Sequence, residues 1–127
     1  MQKVRGVGGL FFQCEDPEKL AAWYKNHLGI HMDGPTYGML NPNEAKPMDR
    51  TVFSTFSKDS DYFSPSKQTF MFNFIVDDVA AMLEQVVKGG ARQIGEIQQE
   101  SYGDFGWFTD PEGHKVELWS PKGDELN

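Results

Sequence analysis

The sequence contains two copies of one capped helix, and this internal repeat restricts the possible folds more than any other feature. In the first copy Asp16 precedes an amphipathic run that ends at Gly29. In the second copy Asp78 precedes a similar run that ends at Gly90, with the same spacing to within one residue. An aspartate before a helix accepts hydrogen bonds from the first free backbone amides, and a glycine after it adopts the left-handed conformation that ends the helix. We therefore predict two copies of one supersecondary unit.

Short runs rich in apolar residues flank both helical segments. Runs of this length, bounded by glycine, proline and polar residues, are typical of strands. A chain of 127 residues is long enough to form one hydrophobic core. We therefore predict an α+β fold and a single domain over residues 1–127, with a first module of about residues 5–58 and a second of about residues 68–121. The predicted strands are residues 7–14, 36–41 and 50–57 in the first half, and 70–76, 92–98, 105–109 and 115–119 in the second.

The charge balance and the cysteine content exclude several classes of protein. The chain has 19 acidic and 12 basic side chains, and its formal net charge of -7 repels a phosphate backbone, so we expect no nucleic-acid partner. Cys14 is the only cysteine, so no intrachain disulfide can form, and the reducing cytoplasm is the expected location. No run approaches the ~20 consecutive apolar residues of a membrane-spanning helix, so we expect no membrane partner.

The C-terminal run from Trp107 to Trp119 carries the most specific motif. It reads WFTDPEGHKVELW, with a strong turn signal at residues 110–113 before an alternating strand. Together with the two capped helices, this run resembles the vicinal oxygen chelate superfamily of glyoxalases, bleomycin resistance proteins and extradiol dioxygenases. The chain is similar in particular to small bacterial glyoxalase-like proteins. The resemblance implies two βαβββ modules that form a cupped, half-open mixed β-barrel around a ligand cavity, and it implies a homodimer.

The resemblance also implies where a metal ion would bind, because metal-using members hold it with side chains from the first and last strand of each module. The corresponding positions here are Gly9, Met71, the stretch 52–56 and Glu117. Glycine and methionine offer no oxygen or imidazole ligand, and residues 52–56 offer only hydroxyl groups. Protein metal sites supply three or four ligands, so we expect no divalent metal cofactor.

Strand alternation divides the side chains of the predicted strands between a cavity face and a core face. If Glu117 faces the cavity, Val116 and Leu118 face the core. Aromatic side chains with a few polar groups are the usual lining of a small-molecule site, although the same rings also suit the filled interior of a closed barrel. The candidate ligand-binding residues are Phe11, Phe53, Met71, Asn73, Tyr102, Trp107 and Trp119.

Glu117 is the candidate catalytic residue, and three roles are open for it. A desolvated carboxylate can carry a proton, bind a ligand amine, or accept a structural hydrogen bond from a neighbouring donor. The resemblance to bleomycin resistance proteins favours binding of a small aromatic or cationic molecule in a metal-free cavity. The alternative is a glyoxalase-type lyase or isomerase with Glu117 as the proton carrier, with or without a divalent metal ion, so enzymatic activity stays undecided. Extradiol dioxygenase chemistry is less favoured. Those members hold iron with two histidines and a glutamate, and of these ligands this chain keeps only the glutamate, Glu117.

Overall fold

The computed structural model describes residues 1–3 and 7–123. These residues form two α-helices, seven strands and one turn of 3₁₀ helix at Pro42–Glu44. Helix α1 is Pro17–Leu28 and helix α2 is Val79–Lys88. The strands are β1 (His31–Met32), β2 (Gly38–Met39), β3 (Phe72–Ile75), β4 (Arg92–Gln93), β5 (Gln98–Glu100), β6 (Gly103–Thr109) and β7 (Lys115–Pro121).

Both predicted helices and their aspartate caps are confirmed. The Asp16 side chain accepts a hydrogen bond from the backbone amide of Lys19 at 3.1 Å, and Asp78 accepts one from Ala81 at 2.9 Å. Gly29 ends α1 with a φ of 71°, a left-handed conformation that favours glycine. Local signals therefore set where both helices begin. Neither described helix has the length and apolar character needed to cross a membrane.

Strand β7 is the centre of the main sheet. It pairs in parallel with β3 and antiparallel with β6, and β6 also pairs with β4 and β5. Strands β1 and β2 form a separate antiparallel hairpin. In the main sheet Glu117 of β7 lies directly opposite Asn73 of β3 on one side and Trp107 of β6 on the other. Residues that are opposite each other in a ladder point to the same face of the sheet.

The two helices cover one face of this sheet. Phe108, Val116 and Leu118 are fully buried in the core that the helices and the sheet share. The predicted assignment of Val116 and Leu118 to the core is therefore confirmed. Because side chains alternate along a strand, Glu117 and Trp119 point to the opposite side of the sheet. We call this side, which the helices do not cover, the open face, although Glu117 is only 9% and Trp119 only 3% exposed there.

A buried carboxylate holds the turn between β6 and β7. Oδ1 of Asp110 accepts hydrogen bonds from the backbone amides of Glu112 and His114, at 2.9 and 3.0 Å. Oδ2 accepts the hydroxyl of Tyr24 in α1 at 2.8 Å, and Nδ1 of His114 lies 2.9 Å from the same oxygen. Burial and the neighbouring carboxylate raise the pKa of Tyr24, so its hydroxyl stays a donor. Asp110 thus joins the turn, and through it β7, to the first helix.

The first half of the chain forms fewer strands than predicted. Residues 7–14 and 50–57 form no strand, and every residue from 51 to 60 is exposed. Phe12 and Cys14 nevertheless pack against the core, as alternation along residues 7–14 predicts, whereas Leu10, predicted for the same side, is 43% exposed. Alternation indicates which side of a segment is buried, whereas a strand also needs hydrogen bonds to a neighbouring strand. Neither segment has such a neighbour in the described part of the chain.

The α+β class is confirmed, but the predicted cupped, half-open barrel is not seen. Neither sheet among the described residues closes on itself, and all five strands of the main sheet come from the second half of the chain. The reason is the lack of paired strands in the first half, which leaves that half with one helix and one short hairpin. The division of the chain into two equivalent modules stays a prediction.

Replacing Leu118 by alanine should destabilise the fold strongly, because the Leu118 side chain is fully buried in the core. We expect the free energy of unfolding to fall by about 2–5 kcal/mol, the usual cost of removing a buried leucine side chain. The matched control is Leu40→Ala, since Leu40 is 62% exposed and its loss should change stability by less than about 0.5 kcal/mol. Urea unfolding followed by circular dichroism measures both variants. An equal loss of unfolding free energy in Leu118→Ala and Leu40→Ala would contradict the assignment of Leu118 to the core.

Candidate functional site

A hydrogen-bonded carboxylate lies on the open face of the main sheet. Glu117 is only 9% exposed. Its Oε1 accepts hydrogen bonds from Nε1 of Trp107 at 2.8 Å and from the hydroxyl of Tyr62 at 2.5 Å. Its Oε2 accepts a hydrogen bond from Nδ2 of Asn73 at 2.6 Å. The carboxylate is therefore the common acceptor of three donors from three separate segments.

The register of the sheet brings two of these donors to Glu117. Asn73 on β3 and Trp107 on β6 are the residues opposite Glu117 in its two ladders. Neighbouring strands of a sheet lie about 5 Å apart, both in the parallel β3–β7 pair and in the antiparallel β6–β7 pair, so the polar ends of long side chains can meet. The structure thus brings together three of the predicted site residues, and strand alternation explains why all three share one face.

The third donor, Tyr62, comes from the connection between the two halves of the chain. Its ring stacks on Phe56, with centroids 5.4 Å apart and planes inclined by 17°. The ring of Trp107 lies 6.4 Å away at 87°, an edge-to-face contact. Burial, followed by the hydrogen bond to Glu117, raises the pKa of Tyr62, so the hydroxyl keeps its proton. Sequence reasoning missed Tyr62, because no local pattern reports a contact between residues 55 positions apart.

Lys115 adds a positive charge to the open face. It precedes Glu117 by two positions on β7, so alternation places both side chains on the same side. Its Nζ donates a hydrogen bond to the backbone carbonyl oxygen of Tyr62 at 2.7 Å, and lies 5.3 Å from the Tyr62 ring centroid and 6.0 Å from that of Trp107. Burial lowers the pKa of Lys115, while the charge of Glu117 acts in the opposite direction. Sequence reasoning missed Lys115 as well, although the alternation that selects Trp119 also selects it.

Trp119 extends the aromatic part of the open face. Its ring stacks on Phe105, with centroids 5.9 Å apart and planes inclined by 7°. Tyr102 is exposed and contacts Phe105 edge-on, with centroids 5.7 Å apart. Nε1 of Trp119 is buried and has no hydrogen-bond partner among the described residues. Trp119 and Tyr102 therefore belong to an aromatic group beside Phe105, next to the Glu117 cluster along β7.

The remaining predicted ligand-binding residues lie outside the Glu117 cluster. Phe11 and Phe53 are 95% and 90% exposed. They belong to the two segments that do not pair with the sheet, so they do not extend its open face. Met71 is half-buried and directly precedes β3.

A comparison with known proteins decides the family. Residues 9–119 match the family described as a glyoxalase-like domain. This chain belongs to the glyoxalase-like domain family. Among curated proteins, none matches the sequence.

Several solved structures share the fold of this glyoxalase-like domain. A glyoxalase-related enzyme from Fulvimarina pelagi is 18% identical, with a TM-score of 0.61, over 92% of this chain and 88% of that one. A protein of unknown function from Agrobacterium tumefaciens is 19% identical, with a TM-score of 0.60, over 96% and 98%. A member of the glyoxalase/bleomycin resistance protein/dioxygenase superfamily from Sphaerobacter thermophilus is 22% identical, with a TM-score of 0.50, over 84% and 90%. The predicted superfamily is therefore confirmed, and at these identities the structural likeness concerns the fold alone.

The residues of this glyoxalase-like domain do not fit the divalent ion that metal-using members of the superfamily bind. Three donors point at the Glu117 carboxylate, and they would have to turn away before a cation could use its oxygens. The resemblance assigns Gly9 and Met71 to the positions of the first-strand metal ligands, and neither residue supplies an oxygen or imidazole ligand. Within residues 1–3 and 7–123, no group of three or more histidine, cysteine or acidic side chains is arranged to hold a metal ion.

Two clefts of the glyoxalase-like domain lie away from Glu117. One of about 460 Å³ lies beside the β6–β7 turn, with Cys14 and His114 in its wall. Burial raises the pKa of the Cys14 thiol, which disfavours a reactive thiolate there. The other cleft, of about 590 Å³, lies beside the β1–β2 hairpin. Neither cleft is lined by Glu117 or by its three donors. We therefore take the hydrogen-bonded cluster around Glu117, and not a cleft, as the candidate site.

Replacing Glu117 by alanine should destabilise the glyoxalase-like domain, because the buried Nε1 of Trp107 then loses its acceptor. An unsatisfied buried donor costs about 1–3 kcal/mol of the free energy of unfolding. The matched control is Glu84→Ala on α2, since the Glu84 side chain is 72% exposed and only approaches Lys88 at 3.6 Å. We expect that control to cost less than about 0.5 kcal/mol. Urea unfolding compares the two variants, and a Glu117→Ala protein as stable as the control would contradict the role of Glu117 as an acceptor.

The raised pKa of Tyr62 predicts a loss of stability at alkaline pH. In the unfolded chain a tyrosine releases its proton near pH 10, whereas folded Tyr62 holds its proton to higher pH. Its stabilising contribution is therefore complete below about pH 10 and is lost as the pH rises through the folded pKa. We expect the free energy of unfolding to fall less between about pH 8 and about pH 11 in Tyr62→Phe than in the wild type. Tyr24 contributes in the same direction to both proteins, so the difference isolates Tyr62. An equal fall in the free energy of unfolding for Tyr62→Phe and the wild type would contradict the hydrogen bond between Tyr62 and Glu117.

Proposed function

We propose that this glyoxalase-like domain binds a small aromatic molecule on its open face, at Glu117, without a divalent metal ion. One observation carries the proposal: a buried carboxylate with three hydrogen-bond donors lies among aromatic rings on the sheet face away from the helices. A few convergent polar groups within an aromatic and apolar surface are the usual composition of a small-molecule site.

The charges of the open face favour a neutral aromatic ligand over a cationic one. The ammonium group of Lys115 already lies near the rings of Tyr62 and Trp107. Lys115 already offsets the negative charge of Glu117. A second cation at this place would therefore be attracted by Glu117 but repelled by Lys115, and it would compete with Lys115 for the same aromatic surfaces. Of the two ligand types that the sequence allows, we therefore propose the aromatic one.

A purely structural role explains the cluster less well than ligand binding. Burying a carboxylate costs free energy through lost hydration, and each donor around it also loses water. A group of apolar side chains of the same shape would avoid both costs. The polar cluster also lies on the open face rather than in the core beneath the helices, which supports a role in contacting a ligand.

The alternative function is that of a lyase or isomerase, with Glu117 as the proton carrier. The observation that favours it is the hydrogen bond from the Tyr62 hydroxyl to Glu117, which places a proton donor against the carboxylate. In such a reaction Glu117 would take a proton from the carbon beside a substrate carbonyl. Lys115 would then stabilise the negative charge that develops on the carbonyl oxygen. Unchanged turnover of an identified substrate by Glu117→Gln would contradict this alternative.

Titration calorimetry with indole tests the binding proposal on untreated protein and on protein treated with EDTA. We expect the same affinity in both samples, because no metal ion takes part. We expect Glu117→Gln to bind indole about tenfold more weakly, which corresponds to the loss of one hydrogen bond to a charged group. The matched control is Glu84→Gln, whose exposed side chain lies on α2 and should leave the affinity unchanged.

Two outcomes would contradict the proposal. Loss of indole binding after EDTA treatment, with recovery on adding zinc or manganese, would indicate a metal site. Tighter binding of phenethylammonium than of indole would contradict the argument from Lys115 that the ligand is neutral. A homodimer and a cytoplasmic location stay predictions from the sequence.

A further inference from the structure

We propose that the side chain of Tyr62 is an internal occupant of the Glu117 site, and that the external ligand is a neutral phenol that takes its place. This inference rests on the proposed function, because it names the chemical class of the aromatic molecule bound there. The contacts of Tyr62 carry it.

The site holds the phenol group of Tyr62 by its hydroxyl and by its ring. The hydroxyl donates to Oε1 of Glu117 at 2.5 Å. One face of the ring stacks on Phe56, the edge-to-face partner is Trp107, and Nζ of Lys115 lies 5.3 Å from the ring centroid. An acceptor for a hydroxyl, an aromatic stacking partner and a cation near the ring are together the groups that recognise a phenol.

The segment that carries Tyr62 is attached to the sheet mainly through that residue. Residues 57–68 contain no helix or strand, and their backbone hydrogen bonds are local turns. Within the described residues, two hydrogen bonds join this segment to the main sheet, and both involve Tyr62. Its hydroxyl donates to Glu117, and its carbonyl oxygen accepts from Lys115. Displacement of the Tyr62 side chain would therefore break one of these two hydrogen bonds and no strand pairing, so the segment would loosen while the bond from Lys115 to the Tyr62 backbone stays in place.

The chemistry of Glu117 determines which aromatic molecules can replace Tyr62. The carboxylate offers acceptors only, so the ligand must supply a donor in place of the Tyr62 hydroxyl. A benzene ring without a hydroxyl would leave that acceptor position unfilled, and a site built around a hydroxyl discriminates strongly against the analogue that lacks it. An aromatic carboxylate would be repelled by Glu117. A neutral phenol meets both requirements, because it supplies a hydroxyl donor and carries no negative charge.

Removing the Tyr62 side chain should create a site for phenol itself, and this is the test. We expect Tyr62→Ala to bind phenol at least about tenfold more tightly than the wild type, because the internal competitor is gone. We also expect this variant to prefer phenol over benzene by at least about tenfold, and the double variant Tyr62→Ala, Glu117→Gln to lose that preference. The matched control is Tyr37→Ala, since Tyr37 is a tyrosine that is 62% exposed, lies between β1 and β2 away from the cluster, and should give no gain in phenol affinity when it is removed. Titration calorimetry measures all of these affinities.

A folded Tyr62→Ala protein that binds phenol no better than the wild type would overturn the inference. If that variant does not fold, hydrogen exchange of the wild type provides the second measurement. Saturating phenol should then speed amide exchange in residues 57–68, because the segment has lost one of its two hydrogen bonds to the main sheet, and unchanged exchange would overturn the inference.

The failure of the inference can be distinguished from the failure of the proposed function. If the wild type binds indole through Glu117 but Tyr62→Ala gains no affinity for phenol, the internal-occupant inference alone is wrong. If neither protein binds indole or phenol at all, the proposed function is wrong and the inference is wrong with it.

Discussion

The register of β7 between β3 and β6 is the constraint on which the rest of the structure depends. Val116 and Leu118 are buried under the helices, so Glu117 between them must face the other side of the sheet. A shift of one residue in either ladder would turn Glu117 into the core and expose both apolar side chains. The carboxylate of Asp110 opposes such a shift, because it fixes the turn that precedes β7 and joins that turn to α1.

The same register creates an electrostatic requirement that shapes the open face. A carboxylate with little exposure is stable only if its oxygens receive hydrogen bonds. The neighbouring strands supply Asn73 and Trp107, and the connection between the two halves of the chain supplies Tyr62. Lys115 holds the backbone of that connection and brings a positive charge near the negative one. Sheet, connecting segment and candidate site are therefore one coupled unit.

Sequence patterns predicted those parts of the structure that depend on near neighbours along the chain. The capping aspartates predicted both helices, since a cap and the amide that it binds are three residues apart. Alternation placed Leu118 in the core and placed Glu117 and Asn73 on the other face, whereas only the sheet register showed that Trp107 shares that face and that Glu117 lies between the two. The same alternation in residues 7–14 and 50–57 predicted strands that do not form, because the pattern carries no information about a pairing partner. Phe11 and Phe53 are exposed for that reason.

By itself the sequence determined the helices, the core residues Val116 and Leu118 of β7, the superfamily, and the position of Glu117 on the face away from the core. Only the tertiary structure decided what surrounds that carboxylate. Tyr62 and Asn73 lie 55 and 44 positions away from it, and both contacts require the folded sheet and the connecting segment to be in place. Capping and alternation act over a few residues and leave a visible pattern. Hydrogen bonds between distant segments depend on register and packing, and leave no such pattern in the chain.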